Sequence, residues 1–200
     1  MKSEMLRREL IDGTIYVIAN EGLDKATTKQ IGLKTGINEA YIYRCFKSKE
    51  DMFAKDFESL DLELIDTLKR YRGVLYQTDL THEEKHKAYF TKIWEFLIGN
   101  REKCLTYIRY YYSPYFRKYS AEEHDRLFAP VVANFSVLFK EEANVRLILN
   151  HMLNVALDFA IKVFHGEMPN EPDFTDHVFL VIYRSIEPYF KEEEEVNVNA

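Results

Sequence analysis

Apolar side chains recur every three or four residues along most of this chain, which is the spacing of one face of an α-helix. The first such segment covers residues 3–21 and ends before Gly22. Six further segments show the same spacing, at residues 49–71, 82–99, 101–113, 121–140, 141–165 and 173–191. No segment alternates apolar and polar residues as a β-strand would. The pattern therefore predicts an all-α protein.

Prolines and polar stretches predict the breaks between these helices. Residues 73–81 are predicted to form a loop, and Pro130 is predicted to kink or break its helix. Pro188 is expected to kink or shorten the final helix, because proline lacks the N–H donor and clashes with the preceding turn. The last ten residues, KEEEEVNVNA, are predicted to form an acidic, frayed end.

Between the first two of these helices, residues 27–51 hold three helix starts and one helix stop. The starts are residues of types preferred as N-caps, namely Thr27, Asn38 and Ser48. Gln30 and Asp51 follow two of them at the spacing of a capping box. Gly36 provides the stop, since glycine adopts the left-handed conformation at little cost. Two short helices joined by a tight turn and followed by a third predict a helix-turn-helix.

The second helix of this motif has a face suited to DNA. Ile42 and Phe46 are four residues apart and are predicted to turn inward, which leaves Ala40, Tyr41 and Arg44 facing outward. Arginine can bond guanine edges, a methyl group can touch thymine, and a tyrosine hydroxyl can bond phosphate. A small structural hairpin with a solvated outer face is the alternative interpretation.

The charge distribution favours a DNA-reading head on a different kind of body. The 200 residues carry a net charge of −6, which argues against a protein that coats nucleic acid without specificity. Residues 1–50 nevertheless hold nine Lys and Arg against seven Asp and Glu, a net charge of +2 that leaves −8 for the remaining residues. A hydrophobic content of 46% excludes wholesale disorder.

Other sequence features indicate a cytoplasmic protein without a metal or cofactor. The two cysteines, Cys45 and Cys104, lack the spacing of a metal site or a disulfide framework. The N-terminal sequence MKSEMLRREL has no apolar core of a signal peptide. No uninterrupted apolar run approaches the ~20 residues that span a bilayer. We therefore expect no membrane, metal or cofactor as a partner.

One enzyme-like motif occurs, at residues 82–86. The sequence His-Glu-Glu-Lys-His matches the H-E-x-x-H pattern of zinc hydrolases. Thr81 is predicted to cap this helix, which places the motif in an exposed first turn, and no third ligand follows at the expected spacing. A solvated helix start is the preferred interpretation, and we predict that the protein is not an enzyme.

Over about residues 6–53, the chain resembles the N-terminal domain of the TetR family of transcriptional regulators. The resemblance rests on Gly22, Thr27-Thr28, Ile31, Gly36-Ile37, Tyr41-Ile42-Tyr43, Phe46 and Ser48-Lys49-Glu50. Gly32 and Thr35 depart from the family, whose members usually have alanines there. Relative to alanine, Gly32 is expected to destabilise its helix by up to ~1 kcal/mol.

The resemblance implies a DNA-binding regulator that reads a near-palindromic operator as a homodimer. We expect it to be ligand-responsive and most simply a repressor, released by an effector that the aromatic residues described below predict to be small and apolar or aromatic. The resemblance also implies two domains. Residues 1–48 would form the helix-turn-helix DNA-binding domain, and residues 49–200 would form the ligand-binding and dimerisation domain, linked by the helix at 49–71. A helical ligand-binding or interaction protein without operator binding is the alternative.

By position, the resemblance implies DNA contacts from both helices of the motif and from the start of the next helix. These residues are Thr28, Lys29, Asn38, Glu39, Ala40, Tyr41, Tyr43, Arg44 and Lys49. Phosphate contacts are implied for Thr28, Lys29, Tyr43 and Lys49, and contacts to bases or adjacent backbone for the others. Glu39 either selects cytosine or acts as a favourable charge at a helix start.

The two C-terminal helices are long and strongly apolar. Together with the resemblance, they predict a homodimer that forms through an intersubunit four-helix bundle. Ordinary intrachain core is the alternative role for their apolar residues.

The chain ahead of these helices is rich in aromatic residues, whose ring faces and polar edges suit a pocket for a flat or greasy small molecule. The predicted effector-binding residues are Trp94, Tyr107, Tyr111, Met152 and Phe159. Core packing is again the alternative, because aromatic residues at helical spacing commonly pack inside a protein.

Overall fold

The computed structural model describes residues 2–192. In that range the chain forms ten α-helices: α1 Lys2–Glu21, α2 Thr28–Thr35, α3 Glu39–Cys45, α4 Lys49–Tyr71, α5 His82–Gly99, α6 Arg101–Tyr111, α7 Pro114–Tyr119, α8 Ala121–Ser136, α9 Val145–Phe164 and α10 Pro172–Ile186. Residues 2–192 contain no β-strand, and Phe139 and Phe190 form an isolated β-bridge. The all-α prediction is confirmed. Residues 193–200, most of the predicted acidic end, lie outside the described residues.

Prolines shape three of these helices in different ways. Helix α7 lies between two of the predicted helices and was not predicted. Pro114 stands at its start, where the missing N–H of proline costs nothing. Helix α8 continues through Pro130 rather than breaking there. Helix α10 ends at Ile186, two residues before Pro188, so the predicted shortening is confirmed.

Two predicted segments between helices also differ from the structure. The first part of the predicted loop at 73–81 is a 3₁₀-helix, Arg72–Tyr76. The predicted helices at 121–140 and 141–165 are each shorter, and residues 137–144, with turns at 137–138 and 141–142, connect them. Periodicity overextends such helices because apolar residues in a buried turn continue the same spacing.

The chain packs into two compact units. The first unit contains the chain up to Glu63 together with Asn100–Arg126, and the second contains Leu64–Gly99 and the chain from Leu127 onward. The predicted functional boundary at residue 48 is a different division from these packing units, and it stays a prediction.

In the first unit, α6 is bonded to the last turns of α1. The Thr106 hydroxyl donates to the Ile15 carbonyl at 2.9 Å. The Arg109 guanidinium donates to the carbonyls of Ile18 and Ala19, at 2.5 and 2.9 Å. Carbonyls at a helix C-terminus lack intrahelical partners, and a cation there also complements the helix dipole. Arg109 therefore stabilises the end of α1.

In the second unit, α5, α9 and α10 share an apolar core. Its buried side chains include Ile93, Trp94, Leu97, Ala156, Leu157, Ala160, Val178, Phe179 and Ile182. Helix α9 is long and apolar enough, by length and composition, to cross a membrane. A core helix of a soluble protein passes the same test, and α9 carries charged residues such as Arg146 and Asp158. Its composition is therefore weak support for a membrane span.

Candidate DNA-binding site

Helix α2 starts and stops at the predicted residues. Thr27 Oγ1 accepts a hydrogen bond from the Gln30 amide at 3.1 Å, and Gly36 ends the helix with a φ of 71°. The predicted capping box is wrong in its second half. The Thr27 amide donates to the Lys25 carbonyl at 2.8 Å rather than to the Gln30 side chain, which itself donates to the Glu21 carboxylate at 3.1 Å. A charged acceptor makes the stronger hydrogen bond.

Thr35 closes the turn between α2 and α3. Its hydroxyl donates to the Ile31 carbonyl at 2.9 Å and accepts from the Ile37 amide at 3.3 Å. Its methyl group occupies space that Gly13 of α1 leaves free, since a Cβ on Gly13 would lie 2.1 Å from Thr35 Cγ2. The threonine that departs from the family pattern is therefore matched by a glycine on the neighbouring helix.

A close backbone contact also favours glycine at position 32. A Cβ at this position would lie 2.8 Å from the backbone oxygen of Ile37. The expectation that alanine would stabilise α2 is therefore wrong in this structure. The gain in helix propensity is outweighed by a contact with backbone that must shift.

Helix α3 is anchored as predicted. Asn38 Oδ1 accepts a hydrogen bond from the Ala40 amide at 2.9 Å and so caps the helix. Ile42 and Phe46 are both buried, which confirms the inward face.

The opposite face of α3 is open to solvent. Ala40, Tyr41, Tyr43 and Arg44 are all exposed, and Tyr43 is 58% exposed. The Arg44 guanidinium lies 4.9 Å from the centroid of the Tyr41 ring, a cation–π geometry that holds both side chains on one surface. This face presents a guanidinium, two phenol hydroxyls and a methyl group to a partner.

Two residues that are predicted to contact DNA, Thr28 and Glu39, form a hydrogen bond with each other. Thr28 is buried, and its hydroxyl donates to the Glu39 carboxylate. This bond ties the start of α2 to the start of α3, where a carboxylate is favourable. Of the two roles open for Glu39, the structure favours the helix-start charge. Lys29, one residue further along α2, is exposed.

Lys49 lies at the first turn of α4. Ser48 Oγ accepts from the Asp51 amide at 3.1 Å, which confirms Ser48 as the cap. Asp51 Oδ2 accepts from the Lys47 amide at 2.9 Å rather than from the Ser48 amide that a capping box uses. The Lys49 ammonium lies 5.4 Å from the Phe53 ring centroid and 5.9 Å from that of Tyr115. The contact with Tyr115 of α7 was not predictable from local spacing.

Two further cations of the first unit lie over aromatic rings and were missing from the predicted set. The Lys34 ammonium lies 3.1 Å from the Tyr16 ring centroid, and the Arg7 guanidinium lies 5.2 Å from that of Phe46. Both pairs join α1 to the motif. No sequence spacing signals them, because each joins residues that are far apart along the chain.

A sequence model of bacterial regulatory proteins, tetR family, matches residues 10–55, from α1 into α4. The N-terminal domain is a TetR-family domain. No curated protein matches the sequence.

Solved structures show that the TetR-like fold extends over nearly the whole chain. A TetR family transcription regulator from Marinobacter aquaeolei VT8 has a TM-score of 0.73 at 12% identity, covering 92% of this chain and 98% of that one. A TetR-family regulator from Haemophilus influenzae RD has a TM-score of 0.67 at 17% identity, covering 92% and 97%. The regulator FadR from Bacillus subtilis, in complex with stearoyl-CoA, has a TM-score of 0.65 at 18% identity, covering 88% and 96%. At these identities the likeness shows the fold alone.

The predicted effector-binding residues fall in both units. Tyr107 and Tyr111 belong to the first unit, where their stacked rings are 6.1 Å apart. Trp94, Met152 and Phe159 belong to the second unit. Trp94 is 4% exposed, whereas Met152 and Phe159 are half-buried.

The H-E-x-x-H motif is not the solvated helix start that was expected. His86 is buried beside Phe190, with ring centroids 4.4 Å apart. Its Nδ1 bonds the His82 carbonyl at 2.7 Å, and His82 Nδ1 bonds the Tyr183 hydroxyl at 2.8 Å. Burial lowers the pKa of His86 to about 4. Among residues 2–192, no group of three or more His, Cys, Asp or Glu side chains is arranged to hold a metal.

Proposed function

We propose that this chain is a ligand-responsive transcriptional regulator, which represses by binding a near-palindromic operator as a homodimer and is released by a small apolar or aromatic effector. The exposed face of α3 is the observation that supports this function most directly. Tyr41, Tyr43 and Arg44 project from a short helix that is anchored by buried Ile42. These side chains are suited to phosphates and guanine edges in a major groove.

The surface of the second unit supports the homodimer. Leu147 of α9 is 65% exposed, and Val181 of α10 is 57% exposed. Only 22% of an apolar 18-residue segment of α9 is buried within this chain. Apolar area of this kind on two long helices is suited to a second copy of the same surface. Several other residues of the predicted bundle serve the intrachain core instead, as the alternative anticipated: Ala156, Val178, Phe179, Ile182 and Ile186.

Trp94 supports an effector site in the second unit. Its indole Nε1 is buried and has no hydrogen-bond partner among the described residues. The Phe174 ring lies 6.4 Å from the Trp94 ring and 5.9 Å from the Phe159 ring, so two of the predicted effector residues share an aromatic neighbour. An aromatic cluster with one unused donor is suited to an apolar molecule that carries a hydrogen-bond acceptor.

A gel-shift experiment against the DNA upstream of the chain's own gene tests operator binding. Wild type is expected to bind with strong salt dependence, because phosphate contacts release counterions. Tyr43→Phe removes one hydroxyl from the exposed face of α3 and should weaken binding without unfolding the protein. Absence of any salt-sensitive shift for the upstream DNA or for palindromes obtained by selection would leave the helical ligand-binding protein as the better account.

A further inference from the structure

A cavity of about 870 Å³ lies beside the end of α6 and α7 in the first unit. The rings of Tyr111, Tyr112 and Phe116 line it. Tyr112 is 68% exposed and meets Tyr111 edge to face, with centroids 5.3 Å apart, so it forms an open wall of the cavity. The volume and the aromatic lining are those of a site for a small organic molecule.

The charges that line this cavity have one sign. Arg117 and Lys118 are both exposed lining residues, and no Asp or Glu is among the described residues that line it. The nearby carboxylate of Asp61 is buried and bonds His124 Nδ1 at 2.9 Å. The lining offers an organic cation no carboxylate, whereas it offers an anion a guanidinium and an ammonium group.

Helix α7 also contacts the start of α4. The Tyr115 ring packs edge-on against Phe53, with centroids 5.8 Å apart, and the Lys49 ammonium lies close to both rings. The pKa of Glu50 is lowered chiefly by a backbone hydrogen bond, and the charge of Lys118 adds a smaller effect in the same direction. The charge of Lys118 therefore acts at the end of α4 that carries Lys49.

We propose that the α6–α7 cavity binds an amphipathic anion, with its apolar or aromatic body against Tyr112 and Phe116 and its acidic group on Arg117 and Lys118. This inference rests on the proposed regulatory function and adds to it a second ligand site, in the first unit, with its own chemical class of ligand. An anion in the cavity lowers the positive potential beside Lys49, and DNA phosphates need that potential. The anion and the operator therefore oppose each other's binding, and the opposition is reciprocal.

The binding half is tested on the full chain without DNA, by calorimetry. One titration uses 8-anilinonaphthalene-1-sulfonate, an aromatic anion, and a second uses tetraphenylphosphonium, a bulky cation. Wild type is expected to bind the anion. The variant Arg117→Gln with Lys118→Gln should bind it about 3- to 10-fold more weakly, because exposed ionic contacts are individually modest.

Two single variants complete the binding test. Tyr112→Ala removes an exposed aromatic wall and should also weaken anion binding. Lys191→Gln is the matched control, since it removes a cation from another cavity that is lined by both lysines and glutamates, and it should bind the anion as wild type does. Equal affinity of the double variant and wild type, or a preference of wild type for tetraphenylphosphonium, would overturn the proposed site.

A second experiment tests the coupling between the two sites by measuring the affinity for the operator with and without saturating anion. Wild type should lose affinity when the anion is present, and the double variant should lose less. An operator affinity that the anion leaves unchanged in wild type would overturn the coupling. Because the anion titration needs no DNA, a complete failure to bind any operator would contradict the regulatory function while leaving the anion site intact.

Discussion

Arg44 is the residue with the most direct predicted effect on DNA recognition. It is exposed on α3 and bonds no other side chain as an ion pair among the described residues. Arg44→Ala should weaken operator binding by about 1–3 kcal/mol and relax preference at one position of each half-site, as loss of a guanine contact does. Gel shifts on the operator and on single-base variants measure both effects. Lys92→Ala, an exposed cation of α5 in the second unit, is the control and should bind as wild type does.

Asp56 predicts a pH dependence of stability. It is 1% exposed, and neither carboxylate oxygen has a hydrogen-bond partner in the described structure. Burial raises its pKa well above the usual value, with the charge of Asp12 adding to the effect. In the unfolded chain the same group loses its proton near pH ~4. Its contribution to the free energy of unfolding therefore falls as pH rises above ~4, until the folded carboxyl also ionises.

Asp56→Asn should remove this contribution. The variant is expected to be more stable than wild type at pH 8, by about 1 kcal/mol or more, and to lose less stability between pH 5 and pH 8. Urea unfolding at both pH values measures the change. Asp66→Asn, in an exposed ion pair of the same helix, is the control and should leave the slope unaltered. A parallel pH slope in wild type and Asp56→Asn would contradict a neutral buried carboxyl.

At the scale of single residues, local chemistry is predictable and contact partners are not. The caps at Thr27 and Asn38 follow from side chains that bond amides two or three positions along the chain. The bond between Thr28 and Glu39 and the burial of His86 depend on how separate elements pack. The sequence around Thr28, Glu39 and His86 does not specify how those elements pack.

At the scale of elements, Gly13 and Thr35 form a complementary pair between α1 and the turn of the motif. Gly13→Ala should destabilise the protein by about 1–3 kcal/mol, because the new methyl overlaps the Thr35 methyl. Thr35→Ala in the same chain should relieve much of this cost. A double-mutant cycle by denaturant unfolding is expected to give a coupling energy of at least about 1 kcal/mol. Additive effects of the two substitutions would show that the two positions do not contact each other.

Hydrophobic periodicity predicts the bounds of some helices and fails to predict others. The bounds of α4 and α5 are as predicted, because long amphipathic helices with capped starts dominate their own pattern. Helix α7 is too short to show a period. Thr106 and Arg109 attach α6 to residues of α1 that lie about ninety positions earlier in the chain. Hydrophobic spacing does not predict contacts at that separation.

At the scale of the whole molecule, we predict a dimer whose interface is formed by α9 and α10. Leu147→Glu with Val181→Glu places charges on their exposed apolar residues and should convert the protein to a monomer in sedimentation at micromolar concentration. Val137→Glu alters an exposed apolar residue outside both helices and is the control. A wild-type monomer, or a dimer that tolerates the double substitution, would contradict this interface.

The all-α fold and the exposed face of α3 were predictable from the sequence because both rest on local periodicity and caps. The division into two packing units was not, because α6 and α7 return to the N-terminal helices after α5 has entered the second unit. The effector residues were the least predictable, since a ring in a core and a ring in a cavity have the same sequence spacing. Tyr111 lines a cavity, whereas Trp94 is buried with an indole N–H that has no hydrogen-bond partner among the described residues.

We propose that α3 reads a two-fold symmetric operator, and selection of bound fragments from genomic DNA is the sharpest test of this proposal. The predicted result is one family of sites with inverted half-sites about 34–36 Å apart, or a multiple of that groove repeat, bound with steep salt dependence and lost in Arg44→Ala. Enrichment of no common sequence, or of sites that wild type and Arg44→Ala bind equally, would contradict the account.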